Sequence, residues 1–105
     1  MIVFRTACLA LITLTTACTW VKPQEGADNV ALVKDSHVAN CERLGKVNVA
    51  VKHDVVGLER KRSKVAEELL TLAKNEAVKM DGDSLVSLAE PEQGSQPFAV
   101  YRCKP

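Results

Sequence analysis

Few side chains in this chain could do chemistry. They are four cysteines (Cys8, Cys18, Cys41 and Cys103), two histidines (His37 and His53) and scattered carboxylates. A thiol can be acylated, oxidised to a disulfide or used as a metal ligand, and spacing decides among these. No two cysteines stand at the close C-x-x-C separation of a zinc site. His37 near Asp35 and His53 beside Asp54 match no acid–base or metal motif and read as loop histidines. Asp81-Gly82-Asp83 is too short for a calcium loop. There is no glycine-rich phosphate loop and no Ser-His-Asp or Cys-His signature. The sequence therefore points to no catalytic residue, no metal ligand and no cofactor. Arg60-Lys61-Arg62-Ser63-Lys64 could attract acidic lipid or polysaccharide. Glu59, Glu67 and Glu68 dilute it, and a solvated helix face is the simpler reading.

Cys18 stands apart because of what precedes it. Arg5 is the only charge before Lys22, an apolar run extends from about Ala7 to Leu14, and Thr15, Thr16 and Ala17 are small. Residues 1–17 read as a secretory signal. A membrane span needs about 20 apolar residues, more than this stretch offers. The segment Leu14-Thr15-Thr16-Ala17-Cys18 resembles the lipobox, the cleavage and lipidation site of bacterial lipoproteins. Thr15 stands where that pattern usually has Leu, with Leu14 one position earlier. Cys8 has only seven residues before it, which leaves no room for an apolar region. The alternative is ordinary cleavage after Ala17, giving a soluble periplasmic protein that begins with Cys18.

The resemblance implies acylation of Cys18 and a membrane anchor. Each buried acyl CH₂ contributes about 0.8 kcal/mol, so two or more chains attach stably. Thr19 is not the Asp that retains such proteins at the inner membrane, which implies the periplasmic face of the outer membrane. Trp20 suits the headgroup region. Without residues 1–17 the chain begins at Cys18. Loss of Arg5 leaves 13 basic against 13 acidic side chains. A neutral chain gives no reason to expect nucleic acid. With Cys8 removed and Cys18 acylated, Cys41 and Cys103 remain as a pair in an oxidising compartment, where they are expected to form a disulfide.

These residues must be placed by a small set of elements. Residues 18–29 are polar, contain Pro23 and Gly26, and read as a lipidated N-terminus and tether; residues 30–105 read as one domain. Val30-Ala31-Leu32-Val33 is a short β-like run, and 35–40 is a turn. From Leu44 to Val51 the alternation of Val47, Val49 and Val51 predicts a half-buried strand. Helical periodicity follows from about Leu58 to Met80, with Val65, Leu69, Leu72, Ala73 and Val78 on or beside one stripe. Gly82 is expected to take a left-handed position just past that helix. Residues 84–88 and 98–103 read as strands joined by a loop over 90–97. In the last strand, Phe98, Val100 and Arg102 share one side, and Ala99, Tyr101 and Cys103 the other. The expected fold is α+β, in the order β-β-α-β-β: a small mixed sheet, one helix on one face, and a disulfide staple. The strand–helix–strand stretch at 44–88 favours a parallel, right-handed crossover, and the last two strands an antiparallel hairpin.

Several segments together carry a wider resemblance. They are Thr19-Trp20-Val21 after the lipobox; Asn40-Cys41-Glu42-Arg43-Leu44-Gly45; Val65-Ala66-Glu67-Glu68-Leu69; Ala73-Lys74-Asn75-Glu76-Ala77; Asp81-Gly82-Asp83-Ser84; and Phe98-Ala99-Val100-Tyr101-Arg102-Cys103. The chain resembles a family of small bacterial envelope lipoproteins known mainly as a domain of unknown function. More distantly it is similar to the signalling domain of the Rcs envelope-stress sensor lipoprotein, which carries two disulfides where this chain can make one. The anchor and the empty catalytic inventory together lead to the expectation of a non-enzymatic interaction or sensing module, held by lipid at Cys18, with an unidentified envelope protein as its partner. Binding would use the sheet face or the 90–97 loop. The competing expectation is a small-ligand or metal-binding module of the envelope.

Overall fold

The computed structural model describes residues 21–52, 54–55, 58–59 and 61–104. The expected signal segment, Cys18, Trp20, His53 and Arg60 lie outside the described residues. The elements in chain order are a 3₁₀ turn Ala27–Asn29, β1 Ala31–Leu32, a second 3₁₀ turn Asp35–Val38, β2 Glu42–Ala50, β3 Asp54–Val55, β4 Leu58–Glu59, α1 Arg62–Lys79, β5 Ser84–Ser87 and β6 Ser95–Arg102. The fold is α+β, with a mixed four-stranded sheet and one main helix.

Helix α1 begins four residues later than its periodicity suggests. Val55 and Leu58 are instead cross-strand partners in the two-stranded sheet of β3 and β4. The helix start is chemically plain. Lys61 makes no side-chain cap, and the first turn holds no acidic residue. Arg62 and Lys64 there oppose the positive end of the helix dipole. Nothing local marks the boundary, so the apolar pattern overran it.

The strand order is β1-β5-β6-β2. β5 and β6 form the expected antiparallel hairpin. The expected parallel strand–helix–strand crossover is present, but it is split by one strand. β2 and β5 both run antiparallel to β6, so they point the same way, but β6 lies between them. β2 pairs with β6 along its whole length, from Glu42↔Arg102 to Ala50↔Ser95. The four-residue β5 could have satisfied only part of it. The parallel ladder is made by β1 and β5: Ala31 N–H donates to Asp83 C=O at 3.0 Å, and Val33 N–H to Leu85 C=O at 2.8 Å.

β6 starts three residues before the expected strand and runs through Pro97. The Pro97 carbonyl accepts Leu88 N–H at 3.0 Å, so the polar edge of this residue faces the β5 side. Its missing N–H therefore costs the β2 ladder nothing, while the reciprocal bond to Leu88 cannot form. The β5 pairing accordingly ends at Ser87↔Phe98. The hairpin closes on Glu92 and Ser95, whose backbones exchange hydrogen bonds at 2.8 and 3.0 Å. Gln93 and Gly94 between them have φ of 49° and 75°. Positive φ at both central residues matches the twist of flanking strands.

The core lies between α1 and the sheet. Val65, Leu69, Ala73 and Ala77, spaced by four, are all buried, and they join the same cluster as Val30, Val49, Leu85, Phe98 and Val100. Such spacing stacks side chains on one helix face, and the two alanines permit close approach. The opposite sheet face carries Val86 and Ala99, covered by Val38, with Val33, Cys41 and Tyr101 beside them. Segment 33–41 thus acts as a second, thinner layer. The expected alternation in β6 holds: Phe98 and Val100 lie in one cluster, Ala99 and Tyr101 at the other.

The helix ends in a Schellman arrangement. Gly82 N–H donates to Ala77 C=O at 2.8 Å and Asp81 N–H to Val78 C=O at 3.1 Å. The left-handed residue is Asp81, φ 61°, and not Gly82 as its type suggested. Asp can hold this conformation as a single residue. Gly82 is needed for space, since a Cβ there would lie 2.5 Å from Val100 Cγ1 and 3.2 Å from Tyr101 O. Gly82→Ala should therefore lower unfolding stability by about 1–3 kcal/mol, the usual cost of overpacking. Denaturant titration checks this; an unchanged midpoint would contradict the close packing of this turn on β6.

Candidate functional site

Cys41 and Cys103 are joined, with an S–S distance of 2.08 Å. They stand just outside the last register pair of the β2–β6 ladder, Glu42↔Arg102. Across that pair Arg102 Nη2 lies 3.3 Å from Glu42 Oε1. Glu42 is exposed and Arg102 half-buried, so solvent screens this ion pair and it contributes little. The disulfide closes a loop of sequence separation 62. Chain-entropy arithmetic for such a loop gives about 4 kcal/mol as an upper figure.

A carboxylate supports the same end of the sheet. Asp83 Oδ1 accepts the Cys103 N–H at 2.9 Å and the Ser84 hydroxyl at 2.9 Å; Oδ2 accepts the Lys104 N–H at 2.8 Å. Desolvation alone would raise the Asp83 pKa. The two backbone hydrogen bonds, the Ser84 hydroxyl and the Lys104 charge together outweigh it and hold the carboxyl below its ordinary value. The sequence reading missed this role, because Asp83 reads as part of a helix-ending turn. The available signal was an Asp just before a strand whose neighbour carries the last cysteine.

A groove of about 570 Å³ is lined by Leu32, Val33, Lys34, Asp35, His37, Val86 and Ser87. It forms where β1 leaves the sheet. Beyond the Val33–Leu85 bond the chain turns into the 35–38 helix, while β5 continues through Val86 and Ser87. The β5 edge there has no strand beside it among the described residues. Leu32 is 48% exposed, and Leu88, next in sequence to Ser87, 44%. The outer edge of β2 differs: Glu42, Arg43 and Lys46 are exposed along it. Charges of that kind discourage strand addition. An apolar groove beside a bare strand edge suits an extended chain, which would gain main-chain hydrogen bonds and side-chain pockets.

Asp35, His37 and Ser87 meet in this groove, but they are not wired together. The Ser87 hydroxyl donates to Ala89 C=O at 2.9 Å and accepts from Gln96 Nε2 at 2.9 Å. Gln96, which is buried, also donates to Ala89 C=O at 3.0 Å. No hydrogen bond links His37 to Ser87 or Asp35 among the described residues. Of the basic cluster, Lys61, Arg62 and Lys64 are exposed at the start of α1. Among the described residues no group of three or more His, Cys, Asp or Glu could hold a metal ion. No helix described is long and apolar enough to cross a membrane.

The family model for a domain of unknown function, DUF4156, matches residues 21–103, the span that contains the sheet, helix α1 and both disulfide cysteines. The chain belongs to the DUF4156 family. No curated protein and no solved structure matches it. The DUF4156 match starts at Val21, ahead of the first 3₁₀ turn. Residues 22–29 are not a loose tether. Asn75 of α1 is buried; its Oδ1 accepts Gln24 N–H at 2.7 Å and its Nδ2 donates to Lys22 C=O at 2.9 Å. Ala27 and Val30 are buried too.

The Asp83 clasp predicts a pH effect. With its folded pKa lowered, Asp83 contributes stability that is present above its unfolded value near 3.9 and lost as pH falls through the folded value. Melting temperatures between pH 5 and pH 2 should fall more steeply for the native chain than for Asp83→Asn, and the two curves should converge at the acid end. Parallel curves would contradict the clasp.

Proposed function

We propose that this DUF4156 chain is a lipid-anchored module of the bacterial cell envelope. It is held through Cys18 at the periplasmic face of the outer membrane, and it binds or senses rather than catalyses. The observation that carries the reading is the cysteine pairing. With Cys8 removed and Cys18 acylated, the remaining two thiols are the two that the fold joins. Disulfides of this kind persist outside the reducing cytoplasm, which agrees with a secretory signal over 1–17. Thr19 after Cys18 supports sorting to the outer membrane.

The groove supports binding as its work. Its walls are apolar and its rim carries Lys34, Asp35 and His37, without a nucleophile aligned to a base. We assign it to an extended segment of an envelope protein. Of the sheet face, named first from the sequence, the part around Val86 and Ala99 is covered by segment 33–41, while Lys46, Asn48 and Ala50 of β2 stay exposed. The 90–97 loop shrinks to a tight turn braced by Gln96. A small-ligand site is the second reading, favoured by the same concavity.

A photo-reactive residue at Leu32 of the full chain, expressed in a bacterial envelope, should yield a discrete protein adduct. One at Lys46 on the β2 edge should not. Leu88→Asp should reduce the Leu32 adduct several-fold. Equal adducts at both positions, or none at Leu32, would remove the groove from the account. A small-molecule adduct at Leu32 would favour the second reading.

A further inference from the structure

We infer that Asn75 sets how closely the domain rides on its bilayer, and that the α1 flank carrying Asn75 and Val78 faces the phospholipid headgroups. This rests on acylation of Cys18.

Asn75 lies two positions from both Ala73 and Ala77. Two residues of α-helix turn through about 200°, so Asn75 points away from those two core alanines. On sequence grounds it belongs to the solvated side. Yet it is only 7% exposed, because residues 22–24 lie over it. Both contacts are to backbone groups, Gln24 N–H and Lys22 C=O, so they fix the path of the chain whatever side chains occupy those positions. Docking continues beyond them. Gly26 adopts φ 90°, and a Cβ on it would lie 3.8 Å from Val78 Cγ2. Ala27 and Val30 then enter the interior. The segment is built onto the helix from Lys22 onward.

Chain geometry gives the consequence. Had residues 18–29 all been tether, they could have extended about 40 Å. With Lys22 pinned, only four residues, Cys18 to Val21, lead from the acylated position to the domain, and they reach at most about 14 Å. That is close to the diameter of one helix with its side chains, about 10–12 Å. The flank where the chain leaves the domain must therefore lie next to the headgroups. The chain from Cys18 onward is formally neutral, so this approach is imposed by the leash and not by charge. It should be insensitive to salt, unlike attraction of a basic patch to anionic lipid.

The test uses the acylated protein in phosphatidylethanolamine–phosphatidylglycerol vesicles. A donor fluorophore sits at Lys79, exposed one turn beyond Asn75, and an acceptor dye on the lipid headgroups. Asn75→Ala keeps a good helix former while removing both bonds. Eight Gly/Ser residues inserted between Trp20 and Val21 lengthen the leash without touching the domain. Each change should cut energy transfer about two-fold as the reach grows, and transfer in the native protein should be unchanged by 0.5 M salt. Amide exchange at Gln24, slow in the native protein and fast in Asn75→Ala, reports the clamp independently of lipid. If Cys18 is acylated and the insertion lowers transfer but Asn75→Ala does not, the role of Asn75 is overturned while the anchor stands. If neither change matters, or if salt abolishes transfer, the leash is overturned. If mass analysis shows Cys18 without acyl chains, the anchoring reading fails and the leash falls with it.

Discussion

Strand β6 is hydrogen-bonded along both edges, and its position dictates most of the remaining structure. It fixes β2 on one side and β5 on the other. Phe98 and Val100 form part of the floor beneath α1, and Ala99 and Tyr101 serve the thinner layer behind. The end of a chain frays unless something holds it. Here the final strand is held twice just past its last residue, by the Cys41–Cys103 bond and by the Asp83 carboxylate on two backbone N–H groups. A domain this small buries a modest share of its surface and gains much from such staples. The Gly82 turn adds a third constraint, since it packs α1's end directly on Val100 and Tyr101.

The covering of both sheet faces shapes what the surface can do. Segment 33–41 covers the part of the rear face around Val86 and Ala99, and residues 22–30 pack on the flank of α1. Among the described residues, the outer edge of β2 and the bare end of β5 differ in chemistry. The β2 edge bears charged side chains, whereas the β5 edge opens into the groove near Leu32 and Leu88. The proposed anchor enters beside Asn75, on the helix side. On that proposal one flank is given to the bilayer, and the groove is left for the proposed partner.

Much of this was legible in the sequence, because burial leaves a period. The stripe of Val65, Leu69, Leu72, Ala73 and Val78 and the alternation in 98–101 identified the helix, the last strand and the side each turns inward. Cysteine bookkeeping identified the disulfide. What stayed hidden depended on partners distant in sequence. Nothing local tells β2 to pair with β6 in place of β5. Asn75 and Asp83 are polar residues of ordinary appearance whose roles exist only once residues 22–24 and 103–104 come back to them. Asp81 took the left-handed position that Gly82 advertised, because the space beside Val100 needed the glycine more. The groove could not be foreseen, since it is the gap left where β1 departs from β5.

The account depends on one residue outside the described fold, Cys18. Intact-mass analysis of the protein extracted from membranes tests it most directly. The account predicts a mass that lacks residues 1–17, carries acyl chains at Cys18, and is less by the two hydrogens of the Cys41–Cys103 bond. A mass that retains residues 1–17, or one that begins at Cys18 without acyl chains, would contradict it.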